Sequence, residues 1–161
     1  IIKGNRFMFL PVQILNLKNR GLMNIQTKYF GTLEIQAETI IEFIQPIYGF
    51  EDCHRYTSLA DEDLGTDLMW LQGIDQPEVC FMVANPTALF PEVSFQFKAT
   101  ETELLKVKDT KDIDVLCIVS LGEQFSDSTV NLKSPLLFSP EHNLGMQSIL
   151  DQDLPLKAKL A

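Results

Sequence analysis

Few side chains in this chain could carry nucleophilic chemistry: the histidines are His54 and His142, and the cysteines are Cys53, Cys80 and Cys117. A Ser-His-Asp or Cys-His site needs a histidine within hydrogen-bond reach of the nucleophile. Cys53 and His54 are neighbours at the start of a predicted strand, where successive side chains point to opposite faces. His142 falls in a predicted turn. The pattern therefore argues against a nucleophilic enzyme.

Metal and phosphate sites have recognisable spacings, and the common ones do not occur here. The sequence has no C-x-x-C, no H-E-x-x-H and no EF-hand loop. Asp61-Glu62-Asp63 could hold a hard cation weakly, but such a run is more typical of a solvated loop. The eight glycines are scattered, whereas a phosphate loop needs them clustered. We expect no metal and no cofactor. Acid–base catalysis by paired carboxylates stays open, although no pair stands in a distinctive pattern.

The chain is acidic, and its charge is unevenly distributed. Lys and Arg total 13 against 22 Asp and Glu, which gives a net charge of −9. Residues 1–22 hold four of the cations and no acid, so 9 cations and 22 acids remain from Met23 onward. An acidic body repels phosphate backbones, and we expect no direct nucleic-acid binding. It attracts basic partners, such as a protein that itself binds RNA; a role in solubility alone is the alternative.

The cysteines and the hydropathy indicate the compartment. Cys80 and Cys117 lie in apolar strand-like runs, and the cysteine count is odd, so we predict reduced thiols rather than a disulfide framework. Reduced thiols are typical of the cytoplasm, where we place the protein. No stretch approaches the roughly 20 apolar residues of a membrane-spanning helix. The length of 161 residues fits one domain, which we expect to be a monomer.

Residues 1–22 differ from the rest of the chain. They are basic, and their apolar stretch is interrupted by a proline and a glutamine and followed by no A-x-A-like cleavage site, which argues against a signal peptide. Asn19-Arg20-Gly21 could be encoded by a purine-rich stretch like a bacterial ribosome-binding site. A clean amphipathic strand opens at Met23. We interpret residues 1–22 as a non-native or disordered extension translated from upstream sequence.

From Met23 onward, the sequence consists of short alternating or apolar runs separated by turn residues. They predict strands near 25–30, 32–35, 39–43, 54–60, 68–74, 79–84, 93–97, 115–119, 129–132, 136–138 and 146–150. Thr100-Glu101-Thr102-Glu103 matches the S/T-x-x-E capping box and predicts a short helix. The pattern indicates an all-β, mainly antiparallel domain over residues 23–153, either a small barrel or a sandwich, followed by a tail at 154–161.

Five motifs, taken in order, are similar to those of one family. Residues 27–31 read TKYFG, and residues 46–52 resemble an L-P-G-F-E segment. Residues 70–77 are similar to W-L-Q-S-x-D-x-P, residues 128–135 to T-V-N-L-x-A-P with a preceding serine, and residues 145–151 to G-x-Q-x-x-L-D. Their order and spacing resemble the flagellar assembly factor FliW family.

The resemblance spans nearly all of residues 23–153 and implies a small β-barrel-like domain with one or two short helices and no catalysis. Members of the family bind flagellin before its export. They also bind CsrA, a dimeric protein that represses flagellin translation by binding messenger RNA. We therefore expect a chaperone-like regulator of flagellar assembly with these two partners, which frees translation when flagellin has left the cell. A small β-barrel enzyme or ligand carrier with an internal pocket is the alternative.

Polar or loop residues of these motifs, and of the Asn85-Pro86 and Phe90-Pro91 pairs that continue the third motif, are the candidates for partner contact. The set is Glu51, Asp52, Gln72, Asn85, Pro86, Phe90, Asn131 and Lys133. Asn85 and Asn131 could equally cap turns. Phe90 is included because it is an apolar side chain in a predicted loop. Trp70 is expected in the core, with an interface anchor as the alternative.

Overall fold

Residues 21–160 are described by the computed structural model, and they form eleven strands and two short helices. The strands are β1 (Leu22–Gln26), β2 (Thr32–Gln36), β3 (Ile41–Gln45), β4 (Arg55–Leu59), β5 (Leu68–Gly73), β6 (Cys80–Ala84), β7 (Asp114–Ser120), β8 (Thr129–Val130), β9 (Leu136–Ser139), β10 (Leu144–Gln147) and β11 (Ala158–Lys159). The helices are α1 (Pro86–Leu89) and α2 (Ala99–Leu104). None of the helices in this part of the chain has the length and apolar character needed to cross a membrane.

Seven of the strands close into a barrel. Their order is β7-β6-β5-β4-β3-β10-β9, and β9 pairs back onto β7. The β10–β3 pair is parallel, and the other pairs in the ring are antiparallel. Closure leaves no unpaired edge in the ring. This confirms the predicted all-β, mainly antiparallel fold and decides between barrel and sandwich.

Side chains fill the interior of the barrel, as expected for a ring of this size. The Phe43 ring lies 4.8 Å from the ring of Tyr56 and 5.7 Å from that of Phe138, and aliphatic residues pack around the three. Strand β10 brings Gly145 to this point, where an added Cβ would lie 2.7 Å from the Phe43 ring. Glycine therefore lets the aromatic ring occupy the space that a side chain on β10 would take.

The outer face of β5–β8 carries a second apolar cluster. Outward-facing residues such as Met82, Cys117 and Val130 are covered by residues 89–95 of the β6–β7 connection and by the end of the chain. Strand β11 pairs with β8, and Leu160 packs on the same cluster. The predicted tail therefore contributes the outermost strand here. Of the predicted extension 1–22, residues 1–20 lie outside the described residues, and Leu22 begins β1.

The predicted strand at 93–97 is absent. Its residues pair with no neighbouring strand, and the side chain of Gln152 bonds their backbone instead. The Gln152 Oε1 accepts from the N–H of Gln96 at 2.8 Å, and its Nε2 donates to the carbonyl of Ser94 at 2.8 Å. An alternating pattern predicts which face is buried, but a strand also needs a backbone partner.

The predicted helix forms as α2, with a cap two residues earlier than expected. The N–H of Lys98 donates to Glu101 Oε2 at 2.8 Å, so Glu101, and not Glu103, closes the capping box. Glu101 is buried, and its other carboxylate oxygen accepts from the hydroxyl of Ser148. Glu101, at position N3 of the helix, therefore accepts hydrogen bonds from the helix N-terminus and from the segment that follows β10.

Candidate partner-binding surfaces

An apolar cavity of about 480 Å³ opens at one end of the barrel. It lies where β3, β7 and β10 end and where β6 and β9 begin, and we call it the barrel mouth. Its lining includes the buried or half-buried Ile47, Phe81 and Ile118 and the exposed Tyr48, Phe50, Ile149 and Leu156. Such a mouth is one of the usual positions for a binding site in a barrel.

Three apolar side chains at the barrel mouth are strongly exposed. Tyr48 exposes 83% of its surface, Ile149 65% and Leu156 61%. Single exposed apolar residues are ordinary, but several around one concave surface mark an interaction site. The barrel mouth is therefore the leading candidate for partner contact on the described part of the chain.

A chain of hydrogen bonds fixes the rim of the barrel mouth. The N–H of Tyr48 donates to Gln147 Oε1 at 2.8 Å, and Gln147 Nε2 donates to the carbonyl of Ser134 at 3.2 Å. The N–H of Ser134 donates in turn to Asn131 Oδ1 at 2.9 Å. The polar groups between β3, β10 and the β8–β9 loop thus bind one another and hold the loops in place.

Four of the predicted contact residues meet at this end of the barrel. Glu51 and Asp52 are exposed on the β3–β4 loop, directly after Phe50. The Glu51 carboxylate accepts from the N–H of Gly49 at 2.9 Å, and this hydrogen bond lowers the pKa of Glu51. Asn131 and Lys133 lie on the β8–β9 loop.

The roles of the two β8–β9 residues are partly structural. Asn131 lines the barrel mouth while capping the turn to Ser134. The Lys133 ammonium donates to the backbone carbonyl of Gln152 at 2.5 Å. That bond ties the loop to the segment leading into β11 and leaves Lys133 half-buried.

The other predicted contact residues are placed inside the fold or away from the barrel mouth. Gln72 is fully buried, and its side chain bonds backbone groups of the β1–β2 hairpin and of the β5–β6 connection. Asn85 is buried as well and caps α1 by accepting from the N–H of Thr87 at 3.1 Å, with Pro86 at the first helical position. Phe90 packs half-buried on the outer cluster at the opposite end of β6.

Comparison with known families decides the relationship. A family model described as FliW protein matches residues 24–160. The chain belongs to the FliW family. It is 34% identical to the flagellar assembly factor FliW of Caldanaerobacter subterraneus subsp. tengcongensis, over 81% of this chain and 87% of that protein. It is 33% identical to that of Alkaliphilus metalliredigens, over 82% of each.

A solved structure agrees with this assignment. The crystal structure of the flagellar assembly factor FliW superposes with a TM-score of 0.79 at 29% identity, covering 86% of this chain and 96% of that one. The resemblance drawn from the five motifs is thereby confirmed. The FliW fold here is the seven-stranded barrel with its mouth, the β1–β2 hairpin and the added strands β8 and β11.

The cysteine side chains of this FliW domain are buried or half-buried. Cys53 is buried in the barrel core and His54 is exposed, so the two side chains face apart as predicted. Burial raises the pKa of Cys117 to about 12, and that of Cys80 to about 11 although Lys28 opposes the shift. Within residues 21–160, no group of three His, Cys, Asp or Glu side chains is placed to hold a metal ion.

Sequence reasoning missed the exposed apolar residues of the barrel mouth. Tyr48 stands between Pro46 and Gly49, and Leu156 follows Pro155. An apolar residue beside turn-forming residues was a usable indication, since a loop leaves its side chains exposed. The same argument singled out Phe90, which the fold buries in part.

Proposed function

We propose that this FliW-family protein works by binding proteins and not by catalysis. It holds flagellin before export, and when it is free of flagellin it binds CsrA and relieves the repression of flagellin synthesis. Both steps belong to the cytoplasm. Family membership over residues 24–160 and the name shared by the curated relatives support a role in flagellar assembly.

The filled barrel is the observation that carries this proposal. An enzyme or carrier built on a small barrel needs a cavity inside the ring, with polar groups converging on it. Here Phe43, Tyr56 and Phe138 and their aliphatic neighbours occupy that space. An apolar surface remains available outside this core, at the barrel mouth, where a protein segment can reach it.

Charge supports CsrA as one of the partners. Residues 21–160 contain 9 Lys and Arg against 22 Asp and Glu. A protein that binds messenger RNA presents cations, so it is attracted to this surface, whereas nucleic acid itself is repelled. Of the predicted contact residues, Glu51 and Asp52 are the ones both acidic and exposed, and we propose them as contacts of CsrA.

Exchange between the partners needs no chemical step. While flagellin is abundant it occupies the protein, and when flagellin is exported the free protein binds CsrA by mass action. A monomer with one surface region for both partners is sufficient for this behaviour.

Calorimetric titration tests the proposal. The full chain is titrated with CsrA and, separately, with monomeric flagellin from the same organism, each at low and high salt. We expect saturable binding of both, with CsrA binding weakened by salt because charges are paired across the interface. Absence of binding to both proteins at either salt concentration would overturn the proposal and favour a barrel enzyme or carrier.

A further inference from the structure

Resting on the proposed function, we infer that the barrel mouth binds flagellin, and that it does so by taking up the apolar face of a flagellin helix. CsrA is bound by the acidic surface outside the mouth, including the β3–β4 loop beside it. The two partners therefore use adjoining surfaces of different chemistry at one end of the barrel.

The first argument is the apolar character of the exposed rim. Tyr48 lies on the β3–β4 loop, and Ile149 and Leu156 lie on the β10–β11 connection. Each keeps more than half of its surface exposed, at 83%, 65% and 61%. The half-buried Phe81 and Ile118 lie beneath them. A chain that carries this surface gains stability in a complex by covering it, at roughly 25 cal/mol per Å² of apolar area removed from water.

The second argument is the state of the polar groups in the lining. The amide of Gln147 and the carbonyl of Asn131 are already bonded to backbone groups of the rim. An occupant therefore gains little from hydrogen bonds to them and more from apolar contacts. The same bonds hold the rim in one arrangement, so little conformational entropy is lost on binding.

Charge then decides between the two partners. Lys157 is the charged residue in the lining of the barrel mouth. That lining contains no carboxylate. The exposed Asp151 and Asp153 border it between Ile149 and Leu156, and Glu51 and Asp52 follow Phe50 on the β3–β4 loop. Asp61, Glu62 and Asp63 lie at the opposite end of the barrel. A basic RNA-binding protein finds its complementary charges outside the mouth, so the mouth suits the other partner, flagellin.

The closed ring also indicates the form of the segment that binds. A partner strand can join a sheet only at a free edge, and the seven barrel strands have none. The barrel mouth presents side chains instead. A helix with apolar residues at i, i+3, i+4 and i+7 presents a matching stripe roughly 10 Å long. The cavity of about 480 Å³ is sufficient for a few such side chains and not for a folded domain.

Adjoining surfaces also give a reason for exchange. Glu51 and Asp52 stand one and two residues after Phe50, which lines the barrel mouth. A helix seated in the mouth and a protein bound to this loop would occupy the same space. Flagellin in the mouth would then exclude CsrA without any change of fold.

Single substitutions at the rim test the inference. Leu156→Glu and Ile149→Glu place a carboxylate where the helix would bury an apolar surface, which is unfavourable for binding. Leu104→Glu is the matched control, because Leu104 is 41% exposed on α2 and lies outside the mouth. Binding of each full-length variant to monomeric flagellin and to CsrA is measured by calorimetry, and folding is checked by circular dichroism and melting temperature.

We expect both rim variants to bind flagellin roughly tenfold more weakly or worse, as for the loss of one interface anchor. CsrA binding should stay unchanged in the rim variants, and both affinities should stay unchanged in Leu104→Glu. Unchanged flagellin binding in both rim variants would overturn the inference, and so would an equal loss of both partners. Sedimentation velocity of the wild-type chain covers a further outcome: a dimer dissociated by Leu156→Glu would make a second copy the occupant and overturn it too.

These results are distinguishable from failure of the proposed function. If the wild-type chain binds neither partner, the proposed function fails before any variant is compared. If wild type binds both and the rim variants change neither affinity, the function stands and only the placement of flagellin at the barrel mouth is lost.

Discussion

The backbone N–H of Lys28 donates a hydrogen bond to Gln72 Oε1 at 3.1 Å, across 44 residues of sequence. The Nε2 of Gln72 donates to the carbonyls of Gly73, Pro77 and Val79 at 2.9, 2.7 and 3.3 Å. One buried amide therefore joins the β1–β2 hairpin to the β5–β6 turn of the barrel. The hairpin has no strand pairing with the barrel sheet, so this amide is one of its main attachments.

Replacing Gln72 with Met should destabilise the domain without changing its shape. Gln72→Met keeps the side-chain volume but removes the partner of the Lys28 N–H and of the Pro77 carbonyl, whereas the Val79 carbonyl still accepts from the N–H of Gly73. Each unsatisfied buried group costs about 1–3 kcal/mol, and we expect a loss of that order in the free energy of unfolding. Urea denaturation measures the loss. A variant as stable as wild type would show that the amide bonds contribute nothing net.

Asp75 connects the start of β4 to the loop after β5. Its carboxylate accepts from the N–H groups of His54 and Arg55 at 2.9 and 2.8 Å, and from the Arg55 guanidinium at 2.8 Å. Burial raises the pKa of Asp75, but these hydrogen bonds and the Arg55 charge outweigh it, and the pKa lies below its ordinary value.

The lowered pKa of Asp75 predicts a defined dependence of stability on pH. A carboxylate with a lower pKa when folded stabilises the fold above its unfolded pKa, and the effect is lost as pH falls through the folded value. Asp75→Asn should therefore be less stable than wild type at pH 7, and the difference should shrink below about pH 4. Urea unfolding of wild type and Asp75→Asn at pH 7 and at low pH measures the stability difference under each condition. A constant difference across this range would contradict the assigned pKa direction.

The elements that could be predicted are those that depend on residues close together in the sequence. Strands such as β5 and β7 follow from alternation and apolar content within a few residues. The barrel mouth depends on segments far apart in sequence: Tyr48 and Gln147, which share a hydrogen bond, are separated by 99 residues. No local sequence pattern indicates a hydrogen bond between residues so far apart.

The candidate contact residues show the same limit. Glu51 and Asp52 were predicted as partner contacts, and the structure leaves both exposed, because charged residues on a loop remain in water. Gln72 was predicted as a contact because it is polar, yet the structure buries it. Its partners are backbone carbonyls and an N–H group, which every residue carries, so nothing in the sequence distinguishes a buried, satisfied glutamine from an exposed one.

Trp70 reports on the hairpin, because it is the single tryptophan of the chain. Its ring centroid lies 5.0 Å from that of Tyr29 and 6.2 Å from that of Phe30, both at the hairpin turn. Its indole N–H donates to Asp61 Oδ2 at 3.1 Å. The ring therefore lies between the hairpin and the β4–β5 loop, and is half-buried.

Phe30→Ala should expose this indole to water. We expect its fluorescence emission to move to longer wavelength and the free energy of unfolding to fall by about 1 kcal/mol, the usual size of an aromatic pair. Tyr48→Ala is the control, because Tyr48 lies at the barrel mouth and should leave the emission of Trp70 unchanged. Identical spectra for Phe30→Ala and wild type would mean that the hairpin does not cover the indole in solution.

Charge reversal at the β3–β4 loop should weaken CsrA binding more than it affects the fold. Glu51 and Asp52 are exposed, and the Glu51 carboxylate bonds backbone N–H groups of its own loop, so the double variant Glu51→Lys with Asp52→Lys should keep a melting temperature close to that of wild type. If the pair contacts a basic partner, the association rate with CsrA should fall and its dependence on salt should become weaker. Surface plasmon resonance at two salt concentrations measures both quantities.

The double variant Glu62→Lys with Asp63→Lys separates local contact from overall charge. It changes the net charge by the same amount at the opposite end of the barrel. If contact is local, only the Glu51 and Asp52 variant should lose CsrA affinity, by roughly tenfold. Equal losses in both variants would mean that CsrA is attracted by net charge alone. An affinity unchanged in the Glu51 and Asp52 variant would remove these two carboxylates from the interface.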